Sequence, residues 1–114
     1  TQYLDPIEIA QTMSQTLKIE EKCDVVVCLS HLGYAYKDEQ RASDLVLAAN
    51  TENIDLVIGG HTHTFLDKPT IAVNRKKQNM LINQVGCYGI NIGRIDFYFD
   101  EQNNASTNGV SIVV

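Results

Sequence analysis

The spacing of apolar residues changes character near the middle of this chain, and the change separates two kinds of structure. In the first half, Asp5-Pro6-Ile7-Glu8 sets a capping side chain, then proline at the first helical position, then a glutamate three residues after the cap. Ile7, Ala10, Met13 and Leu17 follow at helical intervals, which predicts an amphipathic helix over 5–22. Val25 to Leu29 is an unbroken apolar run rich in β-branched residues, the pattern of a strand covered on both faces. Residues 32–42 mix glycine, tyrosine and charge and read as a loop into a second helix over about 43–50, with Leu45, Val46 and Ala49 as its apolar stripe. Leu56 to Ile58 is a second buried strand. Helix, strand, helix, strand in this order indicates a parallel α/β unit.

The second half alternates. Thr70 to Asn74 and Met80 to Val85 read as short strands joined by the basic turn Arg75-Lys76-Lys77, and Gly86-Cys87-Tyr88-Gly89 is a break. From Ile92 to Asp100, Ile95, Phe97 and Phe99 share one face, opposite Arg94, Asp96 and Tyr98. Asn103 to Gly109 reads as a polar turn, and Val110 to Val114 as a last strand. The C-terminal half is therefore antiparallel β, and the whole chain is mixed α/β. At 114 residues it is one domain by length.

Composition narrows the function classes. A net charge of −5 leaves no basic excess to neutralise phosphates, which argues against sequence-independent nucleic-acid binding. The basic cluster at 75–77 reads as a solvated turn. Cys23, Cys28 and Cys87 match neither a CxxC nor a zinc-ribbon spacing and read as packing residues. No stretch approaches the roughly 18 apolar residues of a membrane span. A start at Thr1 without an initiator methionine suggests a processed or truncated chain, so a missing leader says nothing about location.

The chemistry rests on the three histidines, which all lie just past the ends of the two apolar runs. His31 follows the first run, and His61 and His63 follow the second. In an open α/β sheet the C-terminal edge of parallel strands is where sites are built. Two neighbouring strands thus bring imidazoles from distant parts of the chain to one edge, and imidazole is the commonest protein ligand for transition metals. Gly59-Gly60 lets the backbone turn sharply enough to aim His61 and His63 at one ion or two adjacent ones. Adjacent divalent ions also require bridging negative charge. Asp24 and Asp55 lie at the opposite ends of their strands, and Asp38, Glu39 and Asp67 are loop residues with no evident route to the site. No residue stands out as bridging ligand or general acid, so the site reads as one half. The same residues allow two other readings: a non-catalytic protein holding one zinc or similar ion through all three histidines, and an α/β interaction module whose histidines bind nothing.

Three segments carry a family resemblance. DVVVCLSHLG over Asp24–Gly33, DLVIGGHTHT over Asp55–Thr64 and QVGCYGINIGRID over Gln84–Asp96 resemble the C-terminal half of a calcineurin-like metallophosphoesterase domain, and more narrowly that of the 5′-nucleotidase group. The resemblance runs from about Asp5 to Asp100. It implies a four-layer α/β/β/α sandwich with two divalent metal ions at the sheet edge, zinc, manganese, iron, cobalt and magnesium being indistinguishable from these residues. It implies that His31 and His61 bind one ion and that His63 binds the other. The family's DxH, GD and GNH motifs and its nucleoside-binding domain have no counterpart in these residues, so 1–114 is expected to be the C-terminal portion of the metallophosphatase domain. The parent protein is then expected to hydrolyse phosphate esters of the nucleoside 5′-monophosphate kind in nucleotide catabolism, in the periplasm or outside the cell. The isolated chain is expected to be inactive, and to self-associate or to pair with a fragment carrying the first half. Asn83 or Gln84 are candidates to orient the second ring nitrogens of the ligands. Ser30, Thr62 and Thr64 are further candidates for that supporting layer, and Tyr34, Tyr36 and Tyr88 are candidate pocket walls.

Overall fold

Asp5 caps the first helix as its sequence predicts, accepting the backbone N–H groups of Ile7 at 2.8 Å and Glu8 at 3.2 Å. The structure, a computed structural model, describes residues 1–114. Helix α1 (Pro6–Gln15) is regular, but the expected helix over 5–22 does not stay α-helical to its end. Thr16–Glu20 widens into a π-helical turn, closed by Glu21 N–H on the Thr16 carbonyl at 3.0 Å. Within that turn Lys18 reaches the Asp24 carbonyl and the Asp55 carboxylate, each at 2.9 Å, and ties the helix end to the segments that lead into the two histidine-bearing strands.

Four short strands form the main sheet: β1 (Val27–Leu29), β2 (Leu56–Ile58), β3 (Thr70–Val73) and β4 (Asn79–Asn83), in the order β1-β2-β4-β3. β1, β2 and β4 are parallel, and β3 returns antiparallel to β4. Helix α2 (Asp44–Asn50), capped by Ser43, connects β1 to β2 as the α/β pattern requires. Its residues Leu47 and Ala48 pack with Ile54, Val57, Met80 and Ile82 into the buried core on one face of the sheet. The basic turn joins β3 to β4, Asn74 Oδ1 accepting from the N–H groups of Lys76 and Gln78. Arg75 and Lys76 there reach Glu52, at 3.2 and 3.6 Å.

Two further expectations are corrected. The run Val25–Leu29 predicts a strand covered on both faces, yet β1 is three residues long and Leu29 is 80% exposed. β1 is the outer strand of the sheet. Cys28 faces the core, while Val27 and Leu29 face the other way, where no layer covers them. The polar stretch Asn103–Gly109 is mostly strand. β5 (Asn91–Phe99) and β6 (Ala105–Val113) pair antiparallel along nine positions, from Asn91↔Val113 to Phe99↔Ala105. The turn shrinks to 100–104, where Asp100 Oδ1 accepts the N–H groups of Gln102 and Asn104. A long partner strand, rich in β-branched and aromatic residues, outweighs the weak strand preference of Ser106, Asn108 and Gly109. No helix is long and apolar enough to cross a membrane.

Candidate metal centre

The parallel register delivers both histidine loops to the same sheet edge. Leu29 pairs with Ile58, the Ser30 N–H bonds to the Ile58 carbonyl at 2.9 Å, and the Gly59 N–H bonds to the Asn83 carbonyl at 2.8 Å. Just beyond these bonds, His31 and His61 face each other edge to face, with ring centroids 5.1 Å apart. Gly60 makes this approach possible, since a Cβ there would lie 3.1 Å from His31 Nδ1. His61 and His63 both adopt left-handed backbone, φ 73° and 51°, which non-glycine residues take up only under constraint. His63 lies apart from the pair, edge-on to the exposed Tyr88 ring at 6.0 Å. No three or more His, Cys, Asp and Glu side chains gather closely enough to hold a metal ion. The three imidazoles are thus arranged as two and one, not as a single cluster.

Beneath this edge lies a carboxylate that sequence reasoning missed. Asp44, the first residue of α2, is fully buried. Its Oδ1 accepts the Ser30 hydroxyl at 2.6 Å, and the Ser30 oxygen in turn accepts the Leu32 N–H at 3.2 Å, on the far side of His31. The Asp44 N–H donates to the Gly33 carbonyl at 2.8 Å. The turn carrying His31 is therefore pinned to the start of α2. Asp44 Oδ2 is buried with no hydrogen-bond partner, and a Cβ on Gly59 would fall onto it. An acid directly after a capping serine ordinarily serves the helix dipole. The signal for a different role was the hydroxyl immediately before His31, which only the fold connects to α2.

Burial raises the Asp44 pKa above the ordinary carboxylate value, and the Ser30 hydrogen bond opposes that shift. An acid with a raised folded pKa binds more protons folded than unfolded in the interval between the two values. Stability therefore falls as pH rises through that interval and is lowest, for this group, above the folded pKa. Unfolding midpoints in urea, followed from pH ~4 toward neutrality, are expected to show this decline in the native chain and to lose its Asp44 component in Asp44→Asn. An unchanged pH profile in the variant would contradict the assignment.

Asn83 and Gln84 do not orient the imidazoles by any hydrogen bond in the structure. Gln84 is buried and bonds instead to the loop itself: Oε1 accepts from Thr64 N–H and the Thr62 hydroxyl, and Nε2 donates to the Gly60 carbonyl. Thr62 Oγ1 also accepts the Tyr34 N–H at 3.0 Å, joining the two histidine loops. Tyr34 and Tyr36 are tied into the fold through Thr70 Oγ1 and the Leu32 carbonyl, and Tyr88 stands exposed beside His63.

No family model matches the chain. The trifunctional nucleotide phosphoesterase protein YfkN of Bacillus subtilis (strain 168) is 34% identical over 110 residues, which span 96% of this chain and 7% of that protein. An apyrase of Tabanus yao is 33% identical over 118 residues, spanning 90% of this chain and 20% of the apyrase. The 5′-nucleotidase precursor of Thermus thermophilus superposes with a TM-score of 0.80 at 28% identity, covering 96% of this chain and 23% of that structure. The chain belongs to the 5′-nucleotidase family. It spans less than a quarter of the length of each of these relatives.

The 5′-nucleotidase family is metal-dependent, and the donor set can be tested against that requirement. His31 and His61 present opposed imidazoles at a cleared sheet edge, a nitrogen donor type suited to divalent transition ions. They amount to two opposed ligands, with the His63 ring against Tyr88. The residues present fit a contribution to a metal centre, not a complete coordination shell.

Proposed function

We propose that residues 1–114 are the C-terminal portion of the metallophosphatase domain of a nucleotide phosphoesterase, within a four-layer sandwich completed by chain outside these residues. In this reading His31 and His61 hold one divalent ion and His63 serves a second. The observation that carries it is the opposition of His31 and His61, 5.1 Å apart, at the ends of adjacent parallel strands. A bound divalent ion would polarise a phosphoryl group and offset the negative charge developing on its oxygens. The contribution of this chain is to hold the imidazoles in place, so that their ring nitrogens would be presented to the ion. The bridging carboxylate and the proton-handling groups come from elsewhere, because Asp44 is sealed beneath the edge with Oδ1 held by Ser30. One ion held by all three histidines is disfavoured by the position of His63 against Tyr88.

The substrate in this reading is a nucleoside 5′-monophosphate or a related nucleotide, and the location periplasmic or extracellular. The names of the B. subtilis relative, a nucleotide phosphoesterase, and of the T. thermophilus 5′-nucleotidase precursor support the substrate class. The missing half would dock on the free edge of β1, where an apolar cavity of about 450 Å³ lies between β1 and α1. Val27, Leu29, Ile9 and Met13 are exposed beside it. Phosphate release from nucleoside monophosphates tests the proposal. The chain alone should release none. Restoring a DxH- and GNH-bearing first half in the same polypeptide, with zinc or manganese supplied, should produce turnover that a His61→Ala version lacks. Equal turnover with and without His61 would refute the reading.

A further inference from the structure

Gln84 lies at the end of β4, two strands away from β1, and nothing in its own position suggests chemistry. We infer that it is the positioning residue that holds the His61–His63 loop in its left-handed form. The metal arm of this inference rests on the proposed function, and the conformational arm does not.

The loop needs such a hold. Residues of ordinary side chain in left-handed backbone cost on the order of 1–3 kcal/mol each and persist only where the surroundings impose them. This loop contains two of them, His61 and His63, separated only by Thr62. Gln84 contacts the loop at its first and last turns at once. Its Nε2 donates to the Gly60 carbonyl at 3.1 Å, just before His61. Its Oε1 accepts the Thr64 N–H at 2.6 Å, just after His63, and the Thr62 hydroxyl at 3.2 Å, between them. The residue is 2% exposed, so water cannot substitute for either partner.

The chemistry of the contact also specifies an amide. A backbone N–H can only donate and a carbonyl can only accept, which fixes the orientation of the Gln84 side chain. The same side chain must therefore accept at one end of the loop and donate at the other. Glutamate would accept from Thr64 but oppose its second oxygen to the Gly60 carbonyl. Leucine would leave both backbone groups buried and unpaired. Thr62 Oγ1 extends the hold to the other loop through the Tyr34 N–H. Gln84 thereby makes no hydrogen bond to a candidate ligand ring but governs where two of the three rings point.

The test uses the full chain with two variants, Gln84→Glu and Gln84→Leu, the first near-isosteric so that at least one variant folds. The backbone conformation of His61 and His63 is read by NMR from the intraresidue Hα–HN contact, which is strong only for positive φ. Zinc affinity is read by calorimetry, and the unfolding midpoint is recorded alongside. In the native chain both histidines should be left-handed. In each folded variant one or both should leave that region, and zinc should bind roughly 10–100-fold more weakly, the range seen when a ligand's supporting residue is removed. The glutamate variant should lose less than the leucine one. Left-handed histidines in both variants would overturn the inference. So would a lowered unfolding midpoint with zinc affinity unchanged, since Gln84 would then serve only the fold. A native chain that binds no zinc would sink the metal reading instead, and the NMR comparison would still decide the role of Gln84.

Discussion

Replacing His61 with glycine is expected to separate metal binding from folding, because the two demands on this position conflict. His61 sits at φ 73°, a region that costs a non-glycine residue on the order of 1–3 kcal/mol and glycine nothing comparable. His61→Gly should therefore leave the chain as stable as before, or about 1 kcal/mol more stable after the entropy glycine adds to the unfolded state. The same change removes one of two opposed imidazoles and leaves His31 as a lone ligand. Zinc affinity should drop by more than the roughly 100-fold that bounds the loss of a supporting residue. His61→Ala should lose the metal equally but also lose stability, since alanine keeps the strain and gives up the ring. Elemental analysis after dialysis, beside urea unfolding of the two variants, checks both halves. If glycine destabilises as much as alanine does, the histidine is there for packing. If either variant retains zinc at the native level, His61 is not a ligand.

The strain at His61 also bears on what could be read from the sequence. The ends of the two apolar runs were legible because periodicity reports burial, and a buried parallel strand must emerge at a sheet edge. Gly59-Gly60 was legible as a sharp turn, although the left-handed residues proved to be the histidines and not the glycines before them. What those glycines supply is room, for His31 at Gly60 and for Asp44 at Gly59. Asp44 and Gln84 were not legible in these roles. Each acts across the fold, Asp44 on a serine 14 residues earlier and Gln84 on a loop 20–24 residues earlier. Nothing local marks a first-turn aspartate as buried or a strand-end glutamine as bifunctional. The exposure of Leu29 escaped for the opposite reason: an apolar run announces burial without saying which chain provides the cover. The start of β6 escaped because its strand character comes from β5, pair by pair.

Gly59→Ala is the second change with a large expected effect, and its cause is space alone. The left-handed region is not involved at Gly59, and the residue lies in the seam where β2 gives way to the histidine loop. A Cβ there would land on Asp44 Oδ2 and come within 3.1 Å of Gln84 Nε2. Neither neighbour has freedom to retreat. Asp44 is fixed by Ser30 and by its place at the head of α2, and Gln84 by the Gly60 carbonyl and the Thr64 N–H. Overpacking of a fixed core site costs about 1–3 kcal/mol, and here the displaced groups are hydrogen-bonded and buried, so the upper end, about 3 kcal/mol, is expected. Both histidine loops should move with them, since Asp44 pins one and Gln84 holds the other. The clash with Asp44 can be isolated by a double change. In a background of Asp44→Ala the extra methyl gains room, and Gly59→Ala should cost at least about 1 kcal/mol less, within the range of coupling energies for residues in direct contact. Strict additivity of the two substitutions in urea unfolding would mean that Asp44 and Gly59 do not meet.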